Sequence, residues 1–234
     1  MDIRGYLHSS LIEWEGRITP VVFTAGCNWR CPYCHGWRFV KEWESLNRIT
    51  EESIIEHITK YRKWFDGIVI SGGEPTLQTD LLSFLEMLNE LELQVKLETN
   101  GSNPDVIEIL LERKLIQCLC IDFKMIPDER LNVVAGVSVN KEAVNKTFRL
   151  AKSSTIEREY HTTLCPKFIS IDVFREMSDW LECTGLWVLQ QYEPDDVLCI
   201  ESAGTGRYTD EELNQLEAIA KERHHNVLLR KGRM

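Results

Sequence analysis

Three cysteines stand close together in the run Cys27-Asn28-Trp29-Arg30-Cys31-Pro32-Tyr33-Cys34. Three thiolates on one loop can hold three irons of a [4Fe–4S] cube, and no fourth cysteine lies close enough in sequence to complete the usual ligation. The iron left over has an open coordination position, which is where a metal centre does chemistry. Its occupant must be a chelating substrate or cofactor. Two plainer readings compete with this one. A structural zinc site could use Cys27, Cys31, Cys34 and His35, but adjacent Cys34 and His35 make an awkward pair on one tetrahedral ion. A purely electron-carrying cluster would normally have its fourth cysteine nearby.

A second stretch, Gly72-Gly73-Glu74-Pro75, follows an apolar run. Its glycines allow a ligand close to the backbone, and Glu74 can accept a hydrogen bond from an amine. Alone it reads most simply as a strand-to-helix turn. It lies one βα unit after the cysteine loop, however, so both motifs fall on the same rim.

The elements that must position these motifs alternate along the chain. Pro20–Ala25 is rich in β-branched residues and closed by Gly26, which marks a strand. Thr50 caps a helix over Glu51–Phe65, with Ile54, Ile55, Ile58 and Tyr61 at helical spacing. Further strands are expected at Gly67–Ser71, Gln94–Thr99, Cys118–Phe123, Glu157–Leu164, Leu186–Gln191 and Val227–Arg230. Helices are expected at Asp80–Glu92, Pro104–Lys114, Lys141–Lys152 and Asp172–Glu182, and a last one opens with the capping box Thr209-Asp210-Glu211-Glu212.

Six βα units in a row demand parallel strands, hence a doubly wound sheet or a whole or partial barrel. In both, ligands meet the C-terminal ends of the strands. There lie the cysteine loop, Ser71–Thr76, Glu98-Thr99-Asn100-Gly101 and Asp122-Phe123-Lys124. The 234 residues suit one α/β domain. Residues 20–234 would form it, preceded by an N-terminal extension over residues 1–19 without its own core.

A net charge of −10 argues against a nucleic-acid binder. No apolar run approaches membrane-spanning length, so no membrane partner is expected. Eight cysteines without a secretory pattern at Met1–Gly5 point to a reducing cytoplasm.

The two motifs together resemble the radical S-adenosylmethionine superfamily, with its Cys-x3-Cys-x2-Cys loop and Gly-Gly-Glu-Pro turn. Leu11–Gly16, Phe23–Asn28, Cys31–His35, Val69–Gln78, Lys96–Pro104 and Trp187–Tyr192 are more particularly similar to the glycyl-radical-enzyme activases. Within that group they look most like the activating proteins of anaerobic ribonucleoside-triphosphate reductase. The resemblance implies a partial (β/α)6 TIM-type barrel, a [4Fe–4S] cluster and S-adenosylmethionine as cofactors. It implies cleavage of the sulfonium to a 5′-deoxyadenosyl radical, which takes hydrogen from a glycine of a glycyl-radical enzyme. A flavodoxin- or ferredoxin-type protein would supply the electron.

Carried over by resemblance, Cys27, Cys31 and Cys34 would ligate the cluster and Tyr33 would lie against the adenine. Gly72, Gly73 and Glu74 would meet the methionyl amine. Thr99 and Asn100 would reach the ribose or methionyl end, and Lys124, beside Asp122, would neutralise the cofactor carboxylate. An ordinary ion pair at a strand end is the alternative for Asp122 and Lys124.

Two positions depart from the activase pattern. Glu98 stands where the activases have an aspartate next to a threonine that helps hold a monovalent cation, and the longer side chain leaves that cation an open question. His161 precedes paired threonines where the activases carry arginine, and is divided between a cofactor contact and an ordinary strand-end residue. Cys118 and Cys120 read as small core residues, and Cys165, Cys183 and Cys199 show no cluster spacing. The segment His35–Asn47 has no cysteine, so an insert with further ferredoxin-like clusters is missing. His224-His225 reads as a solvated helix terminus. A radical enzyme acting on a small molecule or peptide, and a non-enzymatic iron–sulfur or zinc protein, are the competing functions.

Overall fold

Alternation along the strands decides which residues face the helices and which face each other. Ile68 and Ile70 turn one way from their strand, Val69 and Ser71 the other, as the two-residue period of a strand requires. The same holds along neighbouring strands. Val22, Val95, Leu97, Leu119, Ile121, Tyr160, Trp187 and Leu189 join helix residues such as Ile54, Phe84, Leu110 and Phe174 in one buried cluster. A smaller cluster of Trp14, Val21, Val69 and Cys118 lies on the opposite face.

A computed structural model describes residues 1–181 and 185–232. The first half of the chain runs β1 (Ile3–Ser10), β2 (Thr19–Thr24), α1 (Trp37–Lys41), α2 (Glu51–Tyr61), β3 (Gly67–Gly72), α3 (Leu81–Glu90) and β4 (Gln94–Thr99). It continues with α4 (Pro104–Glu112), β5 (Cys118–Asp122), α5 (Glu129–Ala135), α6 (Lys141–Ser153) and β6 (Glu157–Leu164). The last elements are α7 (Ile171–Trp180), β7 (Leu186–Gln191), α8 (Ile200–Ala203), α9 (Asp210–Lys221) and β8 (Val227–Arg230). The strands form one sheet in sequence order, parallel from β2 to β8, with β1 antiparallel to β2. This is the expected single α/β domain with a parallel, partial-barrel sheet.

All the expected strands form, and the helix starts follow their caps. The Thr50 hydroxyl accepts from Ser53 N at 3.2 Å. Thr209 and Glu212 make both bonds of the capping box. The helix from Glu51 stops at Tyr61 and continues only as a 3₁₀ turn, Arg62–Trp64, short of the expected Phe65. The expected end of α7 at Glu182, together with Cys183, lies outside the described residues. His224 corrects the expectation of a solvated terminus. It is buried, its ring stands edge-on to Trp187 at 5.0 Å, and its Nε2 lies 3.0 Å from Ser178 O.

The largest difference concerns residues 1–19. They were expected as an extension, yet they supply β1 and the floor of the barrel. Strand β1 has no apolar run because one of its edges and part of its face meet solvent. The segment after β1 crosses the N-terminal ends of the strands. Its Trp14 is fully buried against Val21, Val69 and Cys118, Arg17 pairs with Glu157 at 2.9 Å, and Arg230 donates to Ile12 O at 2.7 Å. The inner face of an open sheet exposes apolar surface at that end, and one indole covers it.

Truncating that plug should be costly. Trp14→Ala is expected to lower unfolding stability by about 3–5 kcal/mol, measured by urea denaturation, because the cavity left beneath the sheet has no side chain to refill it.

Candidate active site

The two motif loops are bound to each other by their backbones. After β2 the chain turns through Gly26, which has a φ of +79° and donates to Phe39 O at 2.7 Å. Gly73 N donates to Thr24 O at 2.8 Å, and Glu74 N donates to Gly26 O at 2.7 Å. A Cβ on Gly73 would sit 1.8 Å from Gly26 O, and one on Gly72 would sit 2.1 Å from Thr24 N. Both positions must therefore be glycine for the loops to pack, whatever ligand approaches them.

Above them opens a cavity of about 140 Å³. Cys27, Cys31, Cys34, Tyr33, Gly72, Gly73, Asn100, Asp122 and Lys124 line it, so most of the residues singled out from sequence converge there. His35, weighed as a zinc ligand, lines it as well, and so do Trp29, Val40 and Thr163, which were given no role in the cofactor site. Thr163 had a legible signal: it lies two residues beyond His161 on the same strand face. His35 is held by Glu193 O, 2.7 Å from its Nε2.

The cysteine sulfurs sit in low-dielectric surroundings. Burial pushes the Cys27 thiol up to about 11, that of Cys31 up to about 12, and that of Cys34 upward. Lys124 opposes each rise, and Trp29 N donates to Cys27 Sγ at 3.3 Å. Asn100 Nδ2 reaches the same sulfur at 3.8 Å. Free thiols here are neutral, and a bound metal would displace their protons.

Lys124 and Asp122 do form an ion pair, at 2.9 Å, but it stands inside the cavity. Burial works against the lysine charge, while Asp122, Tyr33 and Cys31 raise its pKa well above the usual lysine value. The ammonium lies 5.9 Å from the Tyr33 ring centre. That ring packs against Phe168 and Tyr192, and its hydroxyl is buried without a hydrogen-bond partner. Tyr33 also lines the cavity, and a buried polar atom without a partner calls for one.

Three residues expected at the cofactor, Glu74, Thr99 and His161, are not among those that line the cavity. Glu74 does not reach into the cavity for an amine, because its carboxylate is fully buried and saturated. It accepts from Thr76 N at 3.1 Å, Thr76 Oγ1 at 2.5 Å, Thr99 Oγ1 at 2.8 Å and Asn100 N at 2.7 Å. The Thr99 hydroxyl is engaged by Glu74. His161 lies a layer lower, on the barrel's inner face, with Nε2 3.1 Å from Glu159 Oε2.

That inner layer is polar. Lys96, fully buried on β4, donates to Glu159 and to Glu13 O at 2.5 Å each, and stands 3.5 Å from Glu98. Burial opposes the Glu159 charge, yet His161 and Lys96 hold its pKa down to about 2. Cys120, expected as a core residue, shares this layer with Glu98 and His161.

The sequence matches the Radical SAM superfamily over residues 21–181. It is 33% identical over 232 residues to the "Putative glycyl-radical enzyme activating enzyme MJ1227" of Methanocaldococcus jannaschii, covering 97% of this chain and 95% of that protein. It is 28% identical over 146 residues to the pyruvate formate-lyase-activating enzyme of Clostridium pasteurianum, covering 57% and 58% of the two chains. The fold is similar to a radical SAM methyltransferase from Sphaerobacter thermophilus, with a TM-score of 0.70 and 16% identity over 92% of this chain and 67% of that one.

Because a Cβ at Gly73 would collide with the backbone of Gly26, Gly73→Ala should force the cysteine loop from its place. Iron retained after anaerobic reconstitution should fall well below the roughly four atoms of a full cluster. Far-ultraviolet circular dichroism should stay unchanged, since the strands themselves are untouched.

Proposed function

Because the chain belongs to the radical S-adenosylmethionine superfamily, we propose that its rim cavity holds a [4Fe–4S] cluster on Cys27, Cys31 and Cys34, with S-adenosylmethionine at the open iron. The enzyme is of the glycyl-radical activase type, and its proposed substrate is a glycine in a partner glycyl-radical enzyme. The observation that carries the site is the convergence of Cys27, Cys31, Cys34, the Asp122–Lys124 pair and Tyr33 on one cavity.

The residues present fit these groups. Bound together, the two cofactors supply one-electron cleavage of the sulfonium and, from it, hydrogen-atom abstraction. The protein's part is to bind, orient and exclude water. Trp29 and Val40 wall the sulfurs from solvent, and the Trp29 amide and Asn100 side chain fix Cys27. Lys124 offers a buried positive charge to the cofactor carboxylate, with Asp122 setting its position. Tyr33 offers its unpaired hydroxyl. Gly72 and Gly73 let their loop pack against the loop that carries the cysteines, and Glu74 ties it to the loop after β4.

Anaerobic ribonucleoside-triphosphate reductase is the partner that the sequence pattern favours, and a flavodoxin- or ferredoxin-type protein the electron donor. An oxygen-labile cluster and seven free cysteines among the described residues suit a reducing cytoplasm. No helix among the described residues is long and apolar enough to cross a membrane.

The reconstituted, reduced enzyme incubated with this reductase should release methionine and produce a glycyl radical by electron paramagnetic resonance. Methionine release without that signal would remove the reductase as partner, and turnover of a small substrate instead would favour a different radical enzyme. Lys124→Met is expected to slow methionine release about tenfold or more while leaving iron content unchanged. A loss of iron with the methionine would make Lys124 a support of the loop instead.

A further inference from the structure

Below the rim cavity the barrel gathers a second set of metal-binding atoms. One carboxylate oxygen of Glu98, the Cys120 sulfur and one ring nitrogen of His161 all lie within 4.8 Å of one another. They come from β4, β5 and β6, all from the inner face. Cys120 stands two residues before Asp122, and His161 two before Thr163. Asp122 and Thr163 both line the rim cavity, so strand alternation places this group directly one layer beneath it.

Each donor is poised for a ligand. Glu98 Oε1 is buried without a hydrogen-bond partner, and its nearest charge is the Lys96 ammonium at 3.5 Å. That ammonium is already taken up by Glu159 and Glu13 O. Glu159 also holds His161 Nε2 at 3.1 Å, and a carboxylate on one ring nitrogen fixes the tautomer and frees the other nitrogen for a metal. The carboxylates of Glu98 and Glu159 both lie against the single ammonium of Lys96. Buried negative charge in excess calls for a cation.

Donor chemistry selects among cations. Alkali ions, magnesium and calcium take oxygen, whereas a thiolate with an imidazole favours a softer divalent ion. The geometry also differs from the alkali site that the resemblance attaches to Glu98 and its neighbouring threonine, because the Thr99 hydroxyl is committed to Glu74.

We propose that Glu98, Cys120 and His161 bind a zinc-class divalent transition ion in the barrel interior, beneath the cofactor cavity. The Cys120 proton leaves to solvent as the metal binds. Three protein ligands leave a fourth position on the inner side, open to an oxygen or nitrogen of the molecule being acted on.

The test uses the full-length enzyme with its iron–sulfur cluster reconstituted, so that Cys27, Cys31 and Cys34 are occupied. After dialysis against micromolar zinc in potassium buffer, metal analysis should find one zinc per chain beyond the iron. Absorption at the zinc edge should show one sulfur at about 2.3 Å with nitrogen or oxygen at about 2.0–2.1 Å. Cys120→Ser and His161→Ala should each lose the zinc, while Cys165→Ser, buried elsewhere, should keep it. If Cys120→Ser fails to fold, His161→Ala and the edge spectrum decide. An enzyme that dialyses free of zinc, a shell without sulfur, or zinc retained in His161→Ala would overturn the assignment. Zinc retention needs no cofactor cleavage, so failure here leaves the proposed function standing, and failure there leaves this site standing.

Discussion

A buried carboxylate with four donors around it holds the working end of this molecule together. Glu74 sits at the end of β3 and binds the hydroxyl and amide of Thr76, the hydroxyl of Thr99 and the amide of Asn100. Burial raises its pKa, and the four donors work against that rise. A charge so placed is tolerated only when its lone pairs are satisfied, and removing it would strand the donors. The loop after β4 is thereby fixed to the loop after β3. Gly73, too close to Gly26 for any side chain, fixes the loop after β3 to the cysteines. Asn100 closes the circuit by reaching Cys27 Sγ.

The barrel below works by the same economy of layers. A floor of Trp14 shuts the N-terminal end, an ionic layer built on Lys96 lies above it, and the cavity with Lys124 opens at the top. Each layer repeats every second residue along β4, β5 and β6. The path Cys118, Cys120, Asp122 thus runs from apolar packing, through polar side chains, to the rim. A molecule entering from the rim meets fixed charges, not an apolar slot.

The architecture was legible because β2, β3, β5 and β7 are short apolar runs and β4 and β6 alternate apolar with polar residues, patterns visible in one sequence. Strand β1 was not, since an edge strand with solvent on one side needs no such pattern. The cysteines, the glycines and the Asp122–Lys124 pair were legible from residue type and position alone. Glu74 was recognised, but not the protein donors around it. A sequence shows that a carboxylate follows two glycines, not that four donors from two loops will surround it. His161 and Cys120 were harder still, because their company with Glu98 depends on the register across three strands. Trp14 lay in a stretch that resembled the activases, but no periodicity marked it as buried, since it is a single residue in a connecting segment that folds back beneath the sheet.

Three cysteines holding a four-iron cluster leave one iron open to the cofactor. Mössbauer spectra of the enzyme reconstituted with iron-57, recorded before and after adding S-adenosylmethionine, address it most directly. A single iron of the cube should change its parameters while the others keep theirs. A spectrum indifferent to the cofactor, or one in which no four-iron cube is present, would contradict it.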